Sequence, residues 1–289
     1  MTTKIRNAAL PRLRRHSPKP LADLRALREH VVEHDGSIAI VGCLVDLLES
    51  VRISTHLCQR TREALAYQVG AITHGLCSLL ALMTRLDDLH RQWCAGACDN
   101  ERYRSWAALD IESWHVHVRS LLDHAARLME LLPAKPGQVP SASLSKLQTW
   151  LDRKPGNIAR LGKDAAAIAR SAPRFAETKS IRDQIVHHGA LTLVYGGAGA
   201  PLLFQVHAGL RNLVDEPYLM HNKNVAYFKR YAALRLAELL LWLEGLGKVI
   251  LLRPGVRHLP GARLHSPGIS SWLSWLDELR AAAESLSSA

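Results

Sequence analysis

Arg182, Asp183 and His187 are the side chains best placed for chemistry in this 289-residue sequence. They lie in Lys179-Ser180-Ile181-Arg182-Asp183-Gln184-Ile185-Val186-His187-His188-Gly189. Arginine carries a permanent charge in a fork that matches phosphate oxygens. Histidine exchanges its proton near neutral pH. Brought together, the two could hold a phosphodiester and take the proton from a nearby hydroxyl. Asp183 offers a carboxylate to orient either partner, and His188 offers a second proton carrier.

Spacing alone does not single out this segment. Arg-x-x-x-x-His occurs five times, the other copies being Arg25/His30, Arg85/His90, Arg119/His124 and Arg253/His258. The 182–187 copy differs in its flanks. A polar residue, Asp183, follows the arginine, where the other copies have Ala26, Leu86, Ser120 and Pro254, of which Ser120 alone is polar. Apolar Ile185 and Val186 precede His187, and Gly189 supplies a helix stop. On an ideal helix Asp183 and His187 share a face. Arg182 and His187 stand about 140° apart around the axis. They meet only where the arginine stem bends round or the helix distorts near Gly189.

Other groupings are weaker. Glu112-Ser113-Trp114-His115 is one Glu-x-x-His, half of a di-iron carboxylate motif, and no second copy follows. His115 and His117 are two apart on a helix and do not face one ligand. Cys94 and Cys98 are four apart, with no second pair to complete a zinc site. Gly196-Gly197-Ala198-Gly199 lacks the Gly-Lys-Ser/Thr ending of a phosphate loop. No metal or cofactor is expected.

These residues need a scaffold, and its elements are legible as periodicity. Leu65, Val69, Ile72, Leu76, Leu79, Met83 and Leu86 make one apolar stripe, ending before the Cys94–Asn100 turn. Ala107, Ile111, Trp114, Val118, Leu121, Ala125, Leu128 and Leu132 make a second, on a helix from about 102 to 132. Pro133 to Pro140 reads as a linker. Three helical pieces follow, at about 142–153, 157–171 and 174–188, separated by Pro155-Gly156 and Pro173. Alternation at 191–195 and again at 202–207, across a glycine-rich turn, predicts a hairpin. A long helix is expected over 222–250 and a short terminal one over 268–287. Residues 21–34 read as a short helix stopped at Asp35-Gly36. For 38–51 both a helix and an initial strand fit.

Four long helices with short connections predict an all-α, up-and-down helical bundle, with a β-hairpin inserted between the third and fourth core helices. The signature closes the third. Arg-polar-x-x-x-His at Arg182-Asp183…His187, with its flanking helices, resembles the HEPN superfamily over roughly residues 60–252. The resemblance implies metal-independent RNA cleavage. His187 would be the general base on the ribose 2′-hydroxyl, and Arg182 would stabilise charge on the phosphoryl oxygens. Asp183 would orient them, with His188 in support. It also implies a homodimer that brings two motifs to one cleft, a defence or toxin role, and an antitoxin or regulatory partner. Some members of that family are inactive modules that bind RNA or a partner protein. Among the acids of the second helix (Asp110, Glu112, Asp123), Asp123 is the one expected to pair with Arg182.

Composition agrees with an RNA partner. The net charge is +11, and a basic surface favours polyanions. Apolar residues make up 48% of the chain, enough for a large core. Five cysteines, an odd number, fit reduced thiols better than a disulfide framework. No secretory leader is evident, and the apolar runs are short or carry charges, so a cytoplasmic protein without a membrane span is expected. Four regions are expected: a basic arm over 1–20 that holds three prolines and no acid, an N-terminal extension over 21–58, the helical bundle over 59–252, and a tail with a short helix over 253–289.

Overall fold

The computed structural model describes residues 24, 27–34, 37–54, 56–132, 139–140, 143–189, 191–196, 199–206, 210, 213–214 and 216–287. The expected basic arm and most of the 133–140 linker lie outside these. In chain order the elements are β1 (Val31–His34), β2 (Ser37–Ile40), α1 (Cys43–Ile53), α2 (Gln59–Cys94) and α3 (Asn100–Glu130). Then come α4 (Leu144–Arg153), α5 (Gly156–Leu161), α6 (Lys163–Arg170) and α7 (Phe175–His188). The last are β3 (Thr192–Tyr195), β4 (Leu203–Val206), β5 (Ala226–Tyr227), α8 (Phe228–Leu251), β6 (Leu264–His265) and α9 (Gly268–Ser287). Helix makes up 69% of the structure described, so the chain is mostly α.

Both apolar stripes fold as their spacing dictates. Every stripe residue of α2 named above is buried, and α2 lies along α1, α3 and α9. Asp99 caps α3, its carboxylate accepting the Arg102 N–H at 2.8 Å. The centre of the core is aromatic. Trp114 and His115 of α3 meet Phe204 of β4 and Phe228 and Tyr231 of α8, with ring centroids 5.2–6.0 Å apart. By length and composition α2 is apolar enough to cross a membrane, a property the reading of short or charge-interrupted runs did not anticipate.

Several expectations are corrected. Of the helix expected over 21–34, the described residues Leu24 and Leu27 are helical, but it does not reach Asp35-Gly36: a 3-10 turn over Arg28–His30 leads into β1. The Val31-Val32 pair favours extended backbone, and β1 pairs with β2 from Val31↔Ile40 to His34↔Ser37. The 38–51 segment is both things in turn, strand β2 and then α1. The piece at 157–171 is broken at Gly162, whose φ of 96° lies outside the helical range and separates α5 from α6. The helix expected from 222 starts only at Phe228, because Ala226 and Tyr227 pair with β4. The expected hairpin is therefore two strands of a three-stranded sheet, β3-β4-β5, and a second sheet, β1-β2-β6, was not foreseen.

The segments read as extension and tail are joined to each other. Beyond the β2–β6 pairing, buried Asp46 of α1 accepts the N–H groups of Gly261 and Ala262, each at 2.9 Å. Ser50 Oγ accepts the Leu259 N–H at 2.8 Å. Glu244 of α8 caps α1, accepting the N–H groups of Cys43 at 3.0 Å and Leu44 at 3.1 Å.

Candidate functional site

Helix α7 is held firmly at its start and left open at its end. Near its start, buried Glu177 accepts two hydrogen bonds from Arg235 of α8, Nε and Nη2 each at 2.8 Å. Arg235 also donates to Glu216 (3.0 and 3.2 Å) and to Glu238 (3.1 Å). Arg174, the N-cap, has a left-handed φ of 46° and pairs with Glu216. Burial pushes the Glu177 carboxyl above the usual carboxylate range against the pull of Arg235. Burial acts the same way on Glu216, but there the charges and hydrogen bonds of Arg235, with Arg174, bring the net shift below that range.

At the other end, Gly189 adopts φ 60° and its N–H closes onto the Gln184 carbonyl. This left-handed stop suits glycine. Between the two ends Ile181 is buried, while Val186 and His187 are exposed.

Arg182, Asp183 and His187 meet within one chain. The Arg182 Nη1 donates to His187 Nε2 at 2.7 Å and to Asp183 Oδ1 at 3.0 Å. Asp183 Oδ1 lies 3.9 Å from His187 Nε2. The helix stays regular through His188, so the arginine stem bends round. A guanidinium N–H pointing at Nε2 requires a lone pair there, which places the imidazole proton on Nδ1. Side-chain exposure rises from 29% at Arg182 and 34% at Asp183 to 59% at His187, so the imidazole is the most open of the three.

The other described copies of the spacing do not share this arrangement. Arg85 binds Asp110 while His90 meets Tyr103. Arg119 binds Asp123 while His124 meets Gln68. Arg253 binds the Leu131 carbonyl while His258 meets Asp46. Among the described residues, the 182–187 copy alone has its arginine bonded to its own histidine.

The expected Asp123–Arg182 pair is not formed among the described residues. Asp123 accepts the Leu144 N–H at 3.0 Å, which starts α4, and pairs with Arg119 at 3.2 Å. Arg119 is the residue that sequence reading passed over. It lies 4.6 Å over the Phe175 ring of α7, and its buried Nη1 has no hydrogen-bond partner. Burial pushes its pKa down, while Asp123 and then Asp183 pull it up, so its charge is felt at the signature. His188 closes α7, with its side chain outside the described residues.

Elsewhere, Glu112 and His115 do structural work apart from each other. Glu112 accepts the Thr192 N–H at the start of β3 (3.2 Å), while His115 is fully buried, with its Nδ1 2.8 Å from the Ile111 carbonyl. Cys94 is exposed and Cys98 buried. Among the described residues no three His, Cys, Asp or Glu side chains gather as a metal site. Compared with protein-family models, curated proteins and solved structures, the chain matches none.

Proposed function

We propose that this chain is a metal-independent endoribonuclease of the HEPN type. The bond between Arg182 and His187 at the open end of α7 carries the reading. His187 Nε2 takes the proton of a ribose 2′-hydroxyl, which attacks the adjacent phosphorus. The 5′-oxygen leaves, and the products are a 2′,3′-cyclic phosphate and a 5′-hydroxyl. Arg182 turns from Nε2 to the phosphoryl oxygens and stabilises their growing charge. Asp183 holds Arg182, and His188, next in sequence to His187, is the second proton carrier of this reading. In this reading α2, α3, α7 and α8 form the up-and-down bundle, with the β3–β4 hairpin between the third and fourth of them.

The charge of +11 supports an RNA substrate. Val186, Leu191, Leu193 and Tyr195 leave apolar surface exposed at the end of α7 and along the segment that follows it, which supports a homodimer. A toxin or defence protein of the cytoplasm, held in check by an antitoxin, fits these features. One observation favours an inactive RNA- or protein-binding module instead: Arg182 already occupies the nitrogen that the base would use.

The deciding experiment is cleavage of mixed cellular RNA by the purified chain in EDTA, beside folded Arg182→Ala and His187→Ala variants. Cyclic-phosphate products from the parent, lost by about a hundredfold or more in both variants, are expected. An inert parent, or variants that cut equally well, leaves the binding module.

A further inference from the structure

Cys94 closes α2 with its thiol exposed, and groups from two segments meet at its sulfur. His90, one turn earlier, places Nε2 3.7 Å from Sγ. The other ring nitrogen, Nδ1, is 3.0 Å from the Tyr103 hydroxyl of α3. Gly199, between β3 and β4, donates its N–H to Sγ at 3.4 Å. Tyr103 is itself fixed, its ring stacked 4.1 Å from that of Trp93, whose Nε1 donates to Asn100 Oδ1 at 2.7 Å. A nucleophile, a base within reach and a third group that orients the base are the parts of an activated thiol.

Electrostatics suits those roles. Burial, then the charge of Lys229, pushes the His90 pKa down, with Asp87 and Glu278 opposing. The imidazole is thus neutral at pH 7, and in the tautomer whose Nδ1–H donates to the Tyr103 hydroxyl, Nε2 is left to receive the thiol proton. Burial raises the Tyr103 phenol, which stays neutral. The other cysteines differ. Burial and Glu244 push Cys43 up to about 11, burial raises Cys77, and Cys98 is buried. Cys58 is exposed, with its pKa lowered by a hydrogen bond from Thr61, and its sulfur has no histidine among its partners.

We propose that Cys94 is a nucleophilic thiol that exchanges with the disulfide of a low-mass thiol, with His90 as its base and Tyr103 as the residue that positions His90. His90 Nε2 takes the Sγ proton as Sγ bonds to one sulfur of the disulfide. The disulfide bond of the reagent breaks, and its leaving thiolate recovers the proton from the imidazolium. Cys94 ends as a mixed disulfide, oxidised, and one sulfur of the reagent leaves as a reduced thiol.

The test uses the full chain carrying Cys58→Ser, reacted with dithiobis(nitrobenzoate) under native conditions and mapped by peptide mass. One fast thiol is expected, mapping to Cys94 and absent after Cys94→Ser. Adding His90→Gln slows it by about tenfold or more at pH 7, and the rates converge at alkaline pH, where the thiol ionises unaided. Equal rates at pH 7 with and without His90, or a Cys94 no faster than the same cysteines in urea, overturn the proposal. Should His90→Gln fail to fold, Tyr103→Phe decides, since it keeps the stacked ring: a slower reaction at pH 7 sustains the proposal and an unchanged one overturns it.

Discussion

A single imidazole in the core ties stability to pH. His115 is fully buried among Trp114, Phe204 and Tyr231, and burial pushes its pKa down to about 4, against a smaller opposing pull from the Ile111 carbonyl. In the unfolded chain the same group titrates at about 6.5. Its stabilising contribution is complete above that value and is lost as pH falls toward the folded value. Between pH 7 and pH 5 the loss is about 2 kcal/mol. Urea denaturation at the two pH values should show that difference in the parent and a flatter response in His115→Leu. The same scale shows what sequence could reveal of the site. Arg182, Asp183 and His187 were readable because they lie within six positions on one helix. Arg119 was not, because its relation to the signature exists only once α3 packs on α7. Its own Arg-x-x-x-x-His spacing, to His124, leads away from the site, since His124 turns to Gln68. The pair Cys94 and His90 did carry a signal, four apart on one helix, but the meaning comes from Tyr103 and Gly199, which arrive from elsewhere in the chain.

Among elements, α7 packs along α3 and is tied to α8 by a buried ion pair. Its fully buried apolar residue is Ile181, Phe175 and Ile185 pack partly buried against the core, and the Glu177–Arg235 pair adds a buried attachment near the start. Replacing Arg235 by methionine leaves Glu177 and Glu216 buried without their main cation, a change that costs about 3–5 kcal/mol. Chemical denaturation should report that loss, and Arg235→Met combined with Glu177→Gln should recover part of it. Removing the cation also frees the helix that carries Arg182, so RNA cleavage should fall in the single variant even where it stays folded. The long helices α2 and α3 were legible because apolar residues at three- and four-residue spacing have one good use. The short elements were not. Asp35-Gly36 between two apolar stretches is a hairpin signal as well as a helix stop, and the strands on either side of it pair. Strands β5 and β6 hold two residues each and exist through their partners, which no local pattern records.

At the scale of the whole molecule, the charge of +11 is the feature on which the proposed RNA partner rests. Binding measured by fluorescence anisotropy should weaken steeply with salt, the logarithmic slope being about −0.7 for each phosphate neutralised on a single strand. Arg182→Ala should lower that slope by roughly one such step, whereas His187→Ala, which removes no permanent charge, should leave it nearly unchanged. Equal slopes for all three proteins would place the bound RNA away from α7. The pairing of β2 with β6 orders events in time as well as in space. Ile40 waits for Leu264, and Asp46 waits for Gly261 and Ala262, so an early strand and helix are completed by residues 215 or more positions later in the chain. Until then the edge of β2 that takes β6 has no partner, and the Asp46 carboxylate lacks its two backbone donors. Contacts so distant in sequence close slowly, and a chain held short of them presents an unpaired strand edge on which it can aggregate.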